Sequence, residues 1–243
     1  MERAKFWKLV NKVISKSDVL ILVLDARWIN ETRNEEIENK VKGLGKPLIY
    51  VITKCDLVEK EKIPKDLRPV LMSVRKKYGL LKLKERMMIE AERMGKKTVI
   101  VGVLGYPNVG KSSLINMMKG KKSAPTSPLS GWTRGIQKLK MNERIMFLDT
   151  PGVIPYGEKD FLKHVMINVI DYSKVEEPDL LVIELMNKFP GRIEAYYGVD
   201  VLEDKEETIE KIAIKKKIVK KGNAPDIRRM SVSILKDWQS GKM

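Results

Sequence analysis

The chain has 243 residues, of which 43% are hydrophobic, and its formal net charge at neutral pH is +16. The apolar fraction supports a folded core and argues against wholesale disorder, while no apolar run approaches the ~20 residues of a membrane span or forms a secretory signal. The single cysteine, Cys55, excludes an internal disulfide framework and a cysteine-based zinc cluster, so a reducing cytoplasm is the expected location.

The positive charge is concentrated in one part of the chain. Residues 1–159 contain 33 Lys and Arg against 17 Asp and Glu, whereas residues 160–243 contain 15 of each. An excess of this size favours a polyanionic partner such as nucleic acid. A lysine-rich surface of the kind that hyperthermophile proteins use explains the composition equally well.

Apolar strands alternate with amphipathic helices in the first two thirds of the chain. Short apolar runs predict strands that are buried on both faces, and the segments between them carry apolar residues at helical spacing. In chain order the predicted elements are helix 2–15, strand 18–26, helix 34–45, strand 46–53, strand 68–73, helix 80–97, strand 98–105, strand 135–141 and strand 144–150. This order predicts an α/β fold with a mainly parallel, six-stranded sheet.

Strand signals fade after the sixth predicted strand. The later segments favour helices at residues 158–174, at residues 179–189 and beyond Glu206, and prolines separate them. We therefore predict two domains. Residues 1–157 form the sheet domain, and residues 158–243 form a small helical domain that is a candidate for RNA binding.

The segment GYPNVGKSS at residues 105–113 matches the phosphate-loop pattern G-x-x-x-x-G-K-[ST] between a predicted strand and a predicted helix. In such a loop, backbone N–H groups and the helix N-terminus surround phosphate groups. Lys111 is expected to neutralise the β- and γ-phosphate oxygens, and Ser112 is expected to offer an oxygen to Mg²⁺. The predicted phosphate contacts are Asn108, Val109, Gly110, Lys111, Ser112 and Ser113.

A second motif, DTPG at residues 149–152, ends the sixth strand. From this position Asp149 is expected to reach the phosphate-bound Mg²⁺ through water, and the Gly152 N–H to bond the γ-phosphate. Thr133 lies on the polar stretch between the two motifs, where a moving loop would bring its hydroxyl to the same ion. The alternative for Thr133 is an ordinary loop threonine.

The segment TKCD at residues 53–56 follows the second strand and resembles a base-recognition motif. Asp56 can accept hydrogen bonds from the guanine N1–H and exocyclic amine, a pair of donors that adenine does not offer. The alkyl stem of Lys54 is expected to lie along the base. Ser73 ends the next strand, where its loop is expected to support the guanine oxygen.

Base recognition therefore precedes phosphate binding along this chain, and the order resembles that of the circularly permuted ribosome-assembly GTPases of the YlqF/RbgA type. The matching segments are Asp25-Ala26-Arg27, TKCD, Ser73, GYPNVGKSS, Gly131-Trp132-Thr133, DTPG and the terminal APDIRRMSVSILKDWQSGK. The resemblance implies GTP and GDP binding, GTP hydrolysis with Mg²⁺, and maturation of the large ribosomal subunit through its RNA or precursor. Thr53 stands where the family has asparagine, so guanine selectivity is expected to rest more heavily on Asp56.

The residue after DTPG is Val153, where many GTPases place a water-orienting glutamine. We therefore expect slow turnover by the protein alone and stimulation by ribosomal particles. By the same resemblance, Asn108 is a candidate K⁺ ligand, with a turn asparagine as the alternative. The lone histidine, His164, is expected to be a packing or surface residue rather than a catalyst.

A basic stretch near the C-terminus is the candidate RNA contact. Its members are Lys215, Lys216, Lys217, Lys220, Lys221, Arg228 and Arg229. The alternative is the solvated face of a helix whose apolar side contains Ile212, Ile214, Ile218 and Val219.

Two rival functions stay open, a GTP-sensing RNA-binding module with negligible turnover and a P-loop ATPase or kinase. We expect a monomer away from the ribosome.

Overall fold

The computed structural model describes residues 2–59, 61, 63–119, 137–155 and 157–243, and the side chains of residues 2–6 and 137 are not described. The chain divides into two compact units, Met1–Lys159 and Asp160–Met243. We refer to them as the first and the second unit. The first carries a sheet and the second consists of helices and connecting turns.

The sheet of the first unit has six strands in the order β3-β2-β1-β4-β6-β5. Its strands are β1 (Val19–Asp25), β2 (Leu48–Thr53), β3 (Val70–Leu71), β4 (Val99–Leu104), β5 (Gln137–Lys140) and β6 (Ile145–Asp149). All neighbouring strands pair in parallel except β5 and β6, which are antiparallel. The predicted α/β fold with a mainly parallel, six-stranded sheet is confirmed.

The described residues of the first unit form the helices α1 (Glu2–Lys16), α2 (Ile29–Thr32), α3 (Glu35–Gly43), α4 (Leu80–Arg93) and α5 (Lys111–Lys119). Every residue of β1 is buried, which explains its uninterrupted apolar sequence. The apolar face of α1 packs into the same core through Val10, Val13 and Ile14. Strand β1 is therefore held on both faces, and the loop at its carboxyl end starts from a rigid base.

The third strand is shorter than the predicted strand 68–73. Arg68 has a left-handed backbone (φ +43°), and the proline that follows it has no N–H to donate to a ladder. Past the strand, the Met72 N–H donates to the Ile52 carbonyl at 2.8 Å and the Met72 carbonyl accepts the Cys55 N–H at 3.3 Å. The two residues before Val70 therefore belong to the connecting loop.

The second unit contains the helices α6 (Phe161–Met166), α7 (Pro178–Lys188), α8 (Arg192–Tyr197), α9 (Lys205–Lys215) and α10 (Ile227–Gln239). The prediction of one helix over residues 158–174 is wrong. The chain turns at Asn168 (φ +65°), and the Gln239 side chain donates to the carbonyls of Val165 and Ile170 at 2.8 Å each. This amide satisfies backbone groups that a longer helix would have paired internally.

His164 is 5% exposed on α6, a packing position. Among the described residues, no helix combines the length and apolar character needed to cross a membrane.

Candidate nucleotide-binding site

The three predicted motifs of the first unit follow strands that end at one edge of the sheet. TKCD begins at the last residue of β2, the phosphate loop follows β4, and DTPG begins at the last residue of β6. The parallel register pairs Asp25 with Thr53 and Val103 with Asp149. Ligands of open α/β sheets bind at this carboxyl edge, so the topology brings the motifs to the expected place.

The phosphate loop closes around the amine of Lys111. Gly105 has φ +143°, and a Cβ there would lie 2.5 Å from the Val23 carbonyl oxygen, so only glycine fits this approach to β1. Lys111 is 6% exposed, and its Nζ donates to the carbonyls of Gly105 at 3.0 Å and Tyr106 at 2.5 Å. The helix α5 begins at the same residue, so its N-terminus adds a positive dipole beside the amine.

Lys111 and Asp149 form a buried pair of opposite charge. Burial lowers the pKa of Lys111 to about 8, against the opposing charge of Asp149. Burial likewise raises the pKa of Asp149, against the charge of Lys111 and hydrogen bonds from the Thr150 N–H and the Ser112 hydroxyl. Oδ1 of Asp149 is buried and has no hydrogen-bond partner within the described part of the chain.

The donor chemistry at this pair suits Mg²⁺. A carboxylate with one unused oxygen and a neighbouring serine hydroxyl are the hard oxygen ligands that this ion prefers. The described residues include no group of three or more His, Cys, Asp or Glu that could hold a metal without other ligands. A magnesium ion here would therefore need phosphate and water oxygens as well.

The DTPG segment lies directly against the phosphate loop. A Cβ on Gly152 would lie 2.3 Å from the Pro107 nitrogen and 2.4 Å from its Cα. The Val153 N–H donates to the Gly105 carbonyl at 3.2 Å, and the Val153 side chain is buried. The Thr150 hydroxyl donates to the Val103 carbonyl at 2.8 Å, which fixes the start of the segment on β4.

Thr53 ties the base-recognition motif to the phosphate loop. Its hydroxyl donates to the Val109 carbonyl at 2.5 Å and lies 3.0 Å from the Leu24 carbonyl oxygen. A threonine at this position therefore still bonds the backbone of the phosphate loop, although it lacks an amide. This contact is not visible in the sequence, because it joins residues 56 positions apart.

Asp56 and Ser73 lie on two loops that are bonded to each other. Asp56 is half-buried in a 3₁₀ turn, Cys55–Leu57, and the Cys55 N–H donates to the Met72 carbonyl at 3.3 Å. Ser73 is buried, and its hydroxyl accepts the Lys76 N–H at 3.0 Å. The two predicted guanine contacts therefore stand next to each other along the sheet edge.

Most of the predicted site residues thus converge in the first unit. The structure brings to this edge Thr53, Lys54, Asp56, Ser73, Asn108, Val109, Gly110, Lys111, Ser112, Ser113, Asp149 and Gly152. Thr133 lies outside the described residues, together with Gly131 and Trp132. Sequence reasoning missed a role for Asp25, which accepts hydrogen bonds from Arg27 and Lys54 at the end of β1.

Comparisons with known proteins agree with this arrangement. The model of a family described as 50S ribosome-binding GTPase matches residues 100–221. The structure of GNP-bound YlqF from T. maritima has a TM-score of 0.66 and 19% identity, over 98% of this chain and 94% of that one. At this identity the likeness concerns the fold, which is the circularly permuted type.

Two curated relatives span longer chains. An uncharacterized GTP-binding protein of Methanocaldococcus jannaschii is 40% identical over 97% of this chain, which covers 65% of that protein. Nucleolar GTP-binding protein 2 of Saccharomyces cerevisiae is 32% identical over 98% of this chain, which covers 52% of that protein. The chain therefore spans between about half and two thirds of these relatives' length. From its motifs, its fold and these matches, the chain belongs to the 50S ribosome-binding GTPase family, with the circularly permuted order of the YlqF type.

Proposed function

We propose that the protein binds and hydrolyses GTP with Mg²⁺, and that the bound nucleotide gates its binding to RNA of the large ribosomal subunit or of its precursor. One observation carries the proposal. A phosphate loop, a DTPG segment and a TKCD motif follow parallel strands of one sheet, and hydrogen bonds join the phosphate loop to the other two segments. Family membership and the names of the relatives support it.

Guanine recognition is assigned to Asp56. We expect Asp56→Asn to weaken GTP binding at least ~100-fold, because two hydrogen bonds to a charged acceptor are lost and each contributes ~1.5–3 kcal/mol. The variant should bind xanthosine triphosphate more tightly than the native protein does, since the C2 carbonyl of this nucleotide accepts a hydrogen bond from the new amide. Equilibrium titration of GTP, ATP and xanthosine triphosphate measures both effects.

The matched control for Asp56→Asn is Asp66→Asn, an exposed carboxylate in the same connection between β2 and β3. It should leave all three affinities unchanged. Undiminished GTP affinity in Asp56→Asn would remove this residue from the site. Native affinity for ATP equal to that for GTP would favour the ATPase or kinase alternative.

Magnesium is assigned to Ser112, Asp149 and Thr133, the last from the sequence motif alone. The ion would supply charge neutralisation on the phosphates. The unused Asp149 oxygen supports this assignment. Turnover without Mg²⁺ at the rate seen with it would contradict the assignment.

A K⁺ ion near the phosphates is assigned to Asn108. If one charge-assisted contact is involved, turnover should be ~10-fold higher in KCl than in NaCl at equal ionic strength. The test variant is Asn108→Gly, because Asn108 has φ +58° and glycine keeps this backbone without a side chain. The variant should show the same turnover rate in KCl and in NaCl. Equal turnover rates of the native protein in both salts would contradict the K⁺ assignment.

Turnover separates this proposal from a GTP-sensing RNA-binding module. Val153 is buried and carries no group to orient water, so activation is expected to come from a ribosomal particle. Multiple-turnover phosphate release should therefore be slow for the protein alone and faster with large-subunit precursors. No stimulation by any particle would favour the module with negligible turnover.

RNA contact is assigned to the second unit. Its basic residues differ in whether their side chains contact other groups of the same unit. The Lys215 ammonium bonds the Gly198 carbonyl, and the Lys216 ammonium lies 5.4 Å from the centre of the Tyr197 ring. Three further lysines lie beyond the end of α9 and are exposed: Lys217, Lys220 and Lys221. Ile214 is 57% exposed, so the apolar face of this helix is narrower than predicted.

We expect the triple variant of Lys217, Lys220 and Lys221 to alanine to weaken RNA binding and to reduce the slope of log affinity against log salt by up to ~3. Each lysine that neutralises a phosphate contributes about one released counterion. The matched control replaces Lys215 and Lys216, whose ammonium groups contact their own unit, and should change the slope less. An unchanged slope in the triple variant would assign those lysines to a solvated face.

A further inference from the structure

The first strand ends in a buried carboxylate that the proposed function does not use. Asp25 is 1% exposed. Its Oδ1 accepts the Arg27 N–H at 3.1 Å and Arg27 Nε at 3.0 Å, and its Oδ2 accepts Arg27 Nη2 at 2.8 Å and Lys54 Nζ at 2.5 Å. A single carboxylate therefore holds two cations, one from its own loop and one from the base-recognition motif.

Lys54 uses its ammonium to join two loops. It has a left-handed backbone (φ +57°), and its Nζ donates to the Asn108 carbonyl at 3.1 Å as well as to Asp25. Asn108 lies in the phosphate loop, so the Lys54 side chain connects the base-recognition loop to the phosphate loop. The Asp25 carboxylate accepts a hydrogen bond from the same ammonium and so holds the Lys54 side chain in this position.

Asp25 is the anion in a group of three charged side chains, and its charge favours the charged form of Lys54. Burial lowers the pKa of Lys54, the charge of Asp25 opposes this, and the neighbouring Arg27 charge reinforces it. Burial alone would raise the pKa of Asp25, but Lys54 and Arg27 hold that pKa at about 2, so the carboxylate stays ionised at neutral pH. Without the Asp25 carboxylate, Lys54 would keep the repulsion from the neighbouring Arg27 charge and would lose the anion that favours its charged form.

The backbone around Asp25 fixes where the carboxylate lies. Its own N–H donates to the Thr32 hydroxyl oxygen at 3.2 Å, and the Ala26 N–H donates to the Thr53 carbonyl at 3.0 Å. The second bond continues the β1–β2 ladder into the loop. The carboxylate is therefore placed by two strands and a short helix rather than by Lys54 itself.

We propose that Asp25 is a positioning residue of the nucleotide site, which holds Lys54 against the Asn108 carbonyl and so fixes the base-recognition loop relative to the phosphate loop. The inference rests on the proposed function, because it needs a guanine nucleotide that contacts both loops. Asp25 is not assigned a contact with the nucleotide. Its effect on affinity comes from preorganisation, since loops that are already in place need less ordering when a ligand binds.

The test compares Asp25→Asn with native protein in titrations with a fluorescent GDP. The substitution keeps the shape of the side chain and removes its charge. We expect affinity to fall ~10- to 100-fold, which lies within the range of coupling between contacting residues. In the Lys54→Met background the same substitution should have little further effect, whereas a residue that merely supports the fold would weaken binding equally in both backgrounds.

Asp18→Asn is the matched control, because Asp18 precedes the opposite end of β1, accepts the Ile100 N–H at 2.8 Å and pairs with Lys96. It should lower the melting temperature without changing GDP affinity. If Asp25→Asn fails to fold because the Arg27 guanidinium has lost this carboxylate, the double variant with Arg27→Met removes that charge and the cycle is run in its background.

The outcomes distinguish this inference from the proposed function. Native affinity in Asp25→Asn, or an equal loss in the presence and absence of Lys54, overturns the positioning role and leaves the GTP proposal standing. A native protein that binds no guanine nucleotide overturns both. A loss that vanishes when Lys54 is replaced supports the positioning role.

Discussion

The Lys111→Met variant is expected to bind GTP about 100- to 10,000-fold more weakly than the native protein. The amine of Lys111 is buried in the phosphate loop, where two carbonyls already orient it. Contacts with two phosphates would be lost, each contributing ~1.5–3 kcal/mol, and ~1.4 kcal/mol corresponds to a tenfold change. Titration of GTP at fixed Mg²⁺ measures the loss.

The pH dependence of the two proteins provides a second measurement. Because the pKa of Lys111 is about 8 in the nucleotide-free protein, GTP affinity should fall as the pH rises through about 8. The stability effect has the opposite sign. The ordinary pKa is 10.5, so between about 8 and 10.5 the unfolded chain binds more protons and the Lys111 contribution to stability rises with pH.

Lys111→Met should lack both of these pH effects, which separates them from the titration of other groups. The matched control is Lys119→Met in the last turn of the same helix, α5. It should bind GTP as the native protein does and keep the native pH profile. Native GTP affinity in the Lys111→Met variant would mean that the phosphate loop does not bind the phosphates of GTP.

Much of the fold could be predicted because its signals are local. The apolar run of β1 and the glycine spacing from Gly105 to Gly110 are each complete within a few residues. Strand count, motif order and the shared sheet edge follow from such segments, since the carboxyl ends of parallel strands meet at one edge. The family resemblance rested on the same local motifs.

The features that sequence reasoning missed depend on distant partners. The helix predicted over 158–174 is interrupted by the side chain of Gln239, which lies 69 residues beyond Ile170. Asp25 has its role through Lys54, 29 residues further along the chain. Neither residue disturbs the local periodicity, so hydrophobic patterning carries no sign of these bonds.

Thr53 shows the same limitation within the site. Judged against the family motif, its lack of an amide predicted only that guanine selectivity rests more heavily on Asp56. In the fold its hydroxyl instead bonds the Val109 carbonyl at 2.5 Å. A motif specifies which residue types to expect, whereas the approach of another loop decides which bonds a substituted residue can still make.

Gly152→Ala should reduce the rate of GTP hydrolysis at least ~100-fold, the effect of removing one backbone donor from a developing charge. The added Cβ would lie 2.3 Å from the Pro107 nitrogen, so the segment must move away from the phosphate loop. The bond from the Val153 N–H to the Gly105 carbonyl would then stretch or break. GDP affinity should change little, because GDP has no γ-phosphate for the Gly152 N–H to reach.

Hydrogen bonds between described residues hold the segment after Gly152 within the first unit. Besides the Val153 bond, Trp7 Nε1 donates to the Ile154 carbonyl at 3.3 Å, and the Tyr106 hydroxyl donates to Glu158 at 2.8 Å. Tyr106 belongs to the phosphate loop, so this segment is bonded to that loop at both of its ends. A displaced Gly152 should therefore also weaken the difference in RNA affinity between the GTP and GDP states.

Single-turnover hydrolysis, GDP titration and RNA binding in both nucleotide states test this prediction together. Gly43→Ala is the control, because its Cβ would meet no atom within 4 Å and its backbone is not left-handed. It should leave all three measurements at native values. Native hydrolysis by Gly152→Ala would mean that the DTPG segment does not reach the γ-phosphate. Lost hydrolysis with an unchanged nucleotide effect on RNA affinity would instead confine the segment to catalysis and remove it from the gating of RNA.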